Sequence, residues 1–214
     1  MDRRLPVYML IDVSGSMAGE NIECVRNGLS ALVEGLRENP IALDNAYLSV
    51  ITFGNEAKQV VPLTDLDDFQ EPQLEAHGCT AMGDALKLVC ECAKKELIST
   101  TAETKGDWRP LVFLFTDGEP TDDITDGLNE FKKIRWGQKV CCATPDGDMH
   151  TLEKISEIVL KMKDTTPQTF DKYFKWVTAS IVSTTKSIAT TGNDEAAAAG
   201  SVGPAIPDDL LNIE

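Results

Sequence analysis

Two uninterrupted apolar runs, Val7-Tyr8-Met9-Leu10-Ile11 and Leu111-Val112-Phe113-Leu114-Phe115, constrain this chain more than any other feature. Each is too short for a helix and lacks the alternation of a half-exposed strand, so each reads as a strand covered on both faces. Such strands need a sheet held between two layers, and the crossovers that join parallel strands supply helices for both. Each run also ends in an acid beside small polar residues: Asp12-Val13-Ser14-Gly15-Ser16 after the first, Thr116-Asp117-Gly118 after the second.

The intervening segments carry helical spacing. Ile22, Val25, Leu29, Leu32, Val33 and Leu36 draw one stripe, which Asn39-Pro40 is expected to end. Met82, Ala85, Leu86, Val89, Ala93 and Leu97 draw another, and shorter stripes run through Ile124, Leu128 and Phe131 and through Leu152, Ile155 and Val159. Phe170, Phe174, Val177 and Ile181 mark a last helix. Residues 47–53 and 57–61 flank Gly54-Asn55-Glu56 as a hairpin, 139–143 reads as a strand, and 160–162 as a short one. The expected architecture is a Rossmann-like doubly wound α/β fold: a mostly parallel sheet, one antiparallel edge strand and helices on both faces. From about Thr184 small polar residues dominate, which predicts a folded domain over 1–183 and a flexible tail over 184–214. Within that tail Ile206 to Glu214 regains apolar residues among acids, as a docking peptide or a segment folded back would.

With 214 residues the chain can build a core without disulfides or a structural metal. Its formal charge of −15 disfavours nucleic acid and anionic membranes as partners. No apolar stretch approaches the roughly 20 residues of a membrane helix, and the expected location is cytoplasmic. The six cysteines show no zinc spacing and read as buried, reduced thiols, Cys79 included.

In an open parallel sheet, ligands bind beyond the carboxyl ends of the strands. Alternate positions Asp12, Ser14 and Ser16 can aim three oxygens at one point, and Gly15 permits the turn. Asp117 brings a second carboxylate to the same edge, and Thr80, in Gly78-Cys79-Thr80 before the second helix, a further hydroxyl. Carboxylates with hydroxyls form a hard-oxygen set suited to Mg²⁺ or Mn²⁺ rather than zinc. Asp122 and Asp123 are left out of this set because they precede the helix near Ile124 and read as its caps.

The pattern D-x-S-x-S, then a threonine, then an aspartate resembles the von Willebrand factor A family, whose metal-ion-dependent adhesion site has that arrangement. The resemblance covers about residues 5 to 182. Phe115-Thr116-Asp117-Gly118-Glu119-Pro120-Thr121-Asp122 looks like the bacterial branch and is most similar to TerY-type proteins of tellurite-resistance systems. The resemblance implies a non-enzymatic module in which Ser14 and Ser16 bind Mg²⁺ (or Mn²⁺ or Ca²⁺) directly. Thr80 binds directly or through water, and Asp12 and Asp117 act largely through water or hydrogen-bonded hydroxyls. A coordination position then stays open to a Glu or Asp of a protein partner, in the TerY-type setting a kinase- or phosphatase-like stress protein. One departure is Cys79, which stands where many relatives have a second glycine. The competing reading is a Mg-dependent phosphohydrolase, but Asp12 lacks the nearby D-x-D partner of aspartate-nucleophile phosphatases.

Overall fold

The structure, a computed structural model, describes residues 3–192 and 204–213. Strands β1 (Leu5–Asp12), β2 (Ala46–Phe53), β3 (Ala57–Asp65), β4 (Leu111–Thr116), β5 (Gln138–Ala143), β6 (Ile158–Met162) and β7 (Leu210–Ile213) form one sheet in the order β3-β2-β1-β4-β5-β6-β7. The pairings are parallel except at the two edges, β2 with β3 and β6 with β7. The expected α/β class is observed, with the hairpin strand β3 at one edge.

Helices cover both faces. Val7, Met9 and Ile11 of β1 and Leu111, Phe113 and Phe115 of β4 face α1 (Glu20–Arg37), α2 (Pro40–Asn45) and α6 (Pro167–Thr191) in one core. The alternate residues, Tyr8, Leu10, Val112 and Leu114, face α3 (Met82–Glu96), α4 (Thr125–Phe131) and α5 (Met149–Ile155) in the other. Every residue of β1 and β4 is buried, as their unbroken hydrophobicity requires.

Three local expectations are corrected. Asn39-Pro40 ends α1 but also starts α2, because Asn39 Oδ1 accepts the Ala42 N–H at 3.1 Å and Pro40 occupies the first turn. Val159 belongs to β6 rather than to the helix of Leu152 and Ile155. Ser156 closes α5, and its hydroxyl donates to Lys139 O at 2.7 Å and accepts from Ile158 N at 3.0 Å, turning the chain into the sheet.

The third concerns the tail. Helix α6 runs past residue 183 to Thr191, with Thr185 and Ile188 buried. The hydroxyls of Thr184, Thr190 and Thr191 donate to carbonyls four residues earlier, so a Ser/Thr-rich segment satisfies itself within a helix. Residues 210–213 then add β7 as a second antiparallel edge strand. What the tail expectation says of residues 193–203 lies outside the described residues. Among those described, no helix is long and apolar enough to cross a membrane.

Candidate functional site

The chain leaves β1 toward β2 on one side and returns to β4 on the other, so the sheet's switch point lies between β1 and β4. Ile11 pairs with Phe115, which places Asp12 beside Thr116 and Asp117 one step beyond the strand end. Both acids therefore stand at the crevice where parallel sheets bind ligands.

The third segment is fastened between the first two. His77 N donates to Val13 O at 2.7 Å and Gly15 N to Gly78 O at 3.0 Å. Ala81 N donates to Gly54 O at 2.9 Å, and Cys79 N to Asn55 Oδ1 at 3.1 Å. On the far side Thr121 N donates to Thr80 O, and Thr80 N to Thr121 Oγ1, both at 3.0 Å. Gly78 takes φ +80°, and a side chain there would strike the Asn55 amide 2.2 Å away, so both conformation and space demand glycine.

Within this frame Ser16 Oγ donates to Asp117 Oδ1 at 2.8 Å, lies 3.0 Å from Ser14 Oγ, and Ser14 Oγ sits 3.5 Å from the same carboxylate oxygen. Asp12 stands behind this cluster: its Oδ1 accepts the Ser14 N–H at 2.8 Å and its Oδ2 the Thr116 hydroxyl at 2.6 Å. Thr80 is buried, and its hydroxyl faces Gly118, whose Cβ position lies 3.9 Å away. Asp12, Ser14 and Asp117 are buried too, whereas Ser16 is exposed and forms the open rim.

Burial pushes both carboxyls above the ordinary aspartate value. For Asp12, donation from Thr116 and Ser14 opposes the rise and the charge of Asp117 adds to it. For Asp117, donation from Ser16 and Ser14 opposes it and Asp146 adds. Two acids held near each other out of water favour a proton or a cation.

The donor set fits a small hard cation. An octahedral ion with oxygens at about 2.0–2.1 Å sets neighbouring ligands about 2.9 Å apart. The Ser14–Ser16 and Ser16–Asp117 separations of 3.0 and 2.8 Å match that edge. Among the described residues no three His, Cys, Asp or Glu side chains gather as a metal cluster, so a cation here depends on the hydroxyls.

Sequence reasoning missed Thr116, Thr121 and the true role of Asp122. Asp122 does not cap α4. Its two oxygens accept Gly83 N at 3.0 Å and Asp84 N at 2.9 Å, capping α3, whose own cap residue Ala81 has no side-chain acceptor. Only a folded chain brings that carboxylate to that helix. Asp123 does bond locally, to Thr125 N at 2.8 Å. Asp122→Ala is expected to cost about 1–2 kcal/mol in denaturant unfolding, and an unchanged midpoint would show the cap to be idle. Cys79 is also corrected: five cysteines are buried, but Cys79 is exposed, in a loop whose burial resumes only at Thr80.

A family model for the von Willebrand factor type A domain matches residues 7–173. An uncharacterised protein of Synechocystis sp. is 34% identical over 125 residues, 55% of this chain and 26% of that protein. Inter-alpha-trypsin inhibitor heavy chain H4 of Bos taurus is 28% identical over 141 residues, 60% of this chain and 14% of that protein. The chain thus spans well under half the length of these curated relatives. Among solved structures, von Willebrand factor type A from Catenulispora acidiphila superposes with TM-score 0.65 at 20% identity, covering 86% of this chain and 44% of that one. Proximal thread matrix protein 1 from the mussel byssus, in a form with a zinc-occupied MIDAS (metal-ion-dependent adhesion site) motif, gives 0.63 at 20%, covering 83% and 48%. At such identities these structures share the fold.

Proposed function

We propose, because the chain belongs to the von Willebrand factor type A domain family, that it is a protein-interaction module which grips an acidic side chain of its partner through a divalent cation. Domains of this family commonly mediate metal-dependent protein interactions. The observation that carries the reading is the convergence of Ser14 Oγ, Ser16 Oγ and Asp117 Oδ1 at 2.8–3.5 Å, at the switch point of the sheet.

In this reading Ser14, Ser16, Thr80 and Asp117 hold the ion and Asp12 positions them. Asp12 spends one oxygen fixing the Ser14 backbone and the other on Thr116, which leaves the Ser14 and Ser16 hydroxyls beside Asp117. Mg²⁺ suits the oxygen set best, with Mn²⁺ and Ca²⁺ as alternatives. When bound, the ion supplies a positive charge that neutral hydroxyls leave incompletely compensated, and that attracts a carboxylate. Ser16, exposed at the rim, marks the side from which a partner's Glu or Asp reaches it. The tellurite-resistance resemblance of residues 115–122 supports a chemical-stress setting with kinase- or phosphatase-like partners.

The test is capture of partners from source lysate with Mg²⁺, with EDTA, and with Ser14→Ala/Ser16→Ala. Retention with Mg²⁺ and a loss of about tenfold or more in the other two arms is expected, about 1.4 kcal/mol of partner affinity. Equal retention in all three sinks the metal bridge. Magnesium-dependent phosphate-ester turnover abolished by the same variant replaces it with the hydrolase reading.

A further inference from the structure

We propose that the β6 edge and the adjoining face of α6 form a peptide-docking groove, filled here by residues 204–213, and that this segment exchanges between two copies of the chain. The segment is bound in the way an added strand binds a sheet edge: main-chain pairing gives affinity and side-chain anchors give specificity. Met162, Lys161, Leu160 and Val159 of β6 pair antiparallel with Leu210, Leu211, Asn212 and Ile213. Leu210 is 3% exposed and joins the larger core, and Ile206 packs against that core from its rim.

Polar contacts fix the approach. Trp176 Nε1 of α6 donates to Pro204 O at 3.1 Å, Lys163 N donates to Asp209 O at 3.1 Å, and Lys172 of α6 pairs with the Asp209 carboxylate. Leu210 N closes a turn onto Pro207 O at 2.9 Å, which aims Leu210 into the core. The charges are complementary: Lys172 pairs with Asp209 of the segment, and its ammonium is stabilised by Asp209 first and then by Asp164 before α6 and Asp208. In a chain of net charge −15 this basic spot selects an acidic, apolar strand.

The segment is joined to α6 only through residues 193–203, Asn-Asp-Glu followed by four alanines and Gly-Ser-Val-Gly. Eleven residues can reach about 36–40 Å when extended, enough to serve a neighbouring copy. β7 has a single strand neighbour, β6, so its release exposes one edge and breaks no other pairing. A second copy offers the same segment by construction, and closed exchange between two copies leaves no edge unpaired.

Two experiments on the full chain test this. With its full linker the chain is expected to form a dimer whose share grows with concentration in light scattering, and Leu210→Glu is expected to abolish that dimer. In the otherwise unaltered chain, Leu210→Glu empties the groove, and a labelled peptide of residues 204–213 should then bind saturably. Wild type, whose groove is filled, should bind it at least tenfold more weakly, and Lys172→Glu in the Leu210→Glu background should weaken it further. A full chain that stays monomeric at every concentration, or a dimer that survives Leu210→Glu, overturns the exchange. A folded Leu210→Glu chain that takes up no peptide overturns the groove.

Discussion

Asp12→Asn is expected to raise the melting temperature of the cation-free protein and to abolish its response to Mg²⁺. Asp12 is wholly buried, and burial raises its carboxyl above the ordinary aspartate value of 3.8. A raised folded value means that the native state holds the proton more tightly than the unfolded chain does. The contribution of Asp12 to stability is therefore greatest below about 3.8 and is lost as pH rises through the folded value. At neutral pH the charged carboxyl opposes folding, and Asp117, raised for the same reason, adds to this. Asparagine removes the charge, keeps an acceptor for Ser14 N, and can donate to Thr116 Oγ1, whose hydroxyl then turns to accept. The same change removes one of the two negative charges that draw a cation to the hydroxyls. At free Mg²⁺ one hundred times the dissociation constant, wild type should gain about 2.7 kcal/mol, or about 5–11 °C for a domain of this size, and the variant nothing. Melting curves in EDTA and in Mg²⁺ at pH 5 and 7.5 decide the matter. A variant that melts below wild type in EDTA, or that keeps the Mg²⁺ shift, contradicts the assignment.

The second large effect lies far from the site. Gly28→Ala in an ordinary helix would stabilise by roughly 1 kcal/mol, but here it should destabilise. A Cβ on Gly28 would stand 2.0 Å from Phe174 Cδ2 and 2.4 Å from Cε2, inside the closest approach any carbon atoms tolerate. The seam joins α1 to α6, and a Cβ on Gly35 would likewise stand 3.0 Å from Thr178 Cγ2. Phe174 is fully buried and touches Tyr173 edge-on at 5.2 Å, so it has little room to retreat. Overpacking of this kind costs about 2–3 kcal/mol, a fall of about 4–12 °C in melting temperature. Phe174→Leu should damage wild type by opening a cavity, yet relieve the Gly28→Ala chain. A double-mutant cycle should show that coupling as about 1–3 kcal/mol. Independent, additive losses would mean that the helices simply move apart.

The fold was legible wherever local pattern and burial coincide. The apolar runs 7–11 and 111–115 could only be strands covered on both faces, and the stripe from Ile22 to Leu36 could only be a helix lying on them. Boundaries failed where one side chain redirected the backbone, as Ser156 does before β6 and Asn39 does before α2. Composition misled at the C-terminus, where threonine reads as polar linker although its hydroxyl can bond inside a helix.

For the site, the order of residues already named the chemistry. Asp12, Ser14, Ser16, Thr80 and Asp117 are oxygen donors at the ends of strands and in the loop that faces them, and the switch point brings those segments together. Sequence alone determined which atoms are available. Tertiary structure decided their roles: Asp12 turns back to Thr116, Ser16 stands at the rim, Asp122 caps α3 rather than the helix that follows it, and Cys79 turns outward. The side-chain contacts behind them join residues 39 to 104 positions apart. No local rule fixes such distances; they follow from how the two helical layers close on the sheet.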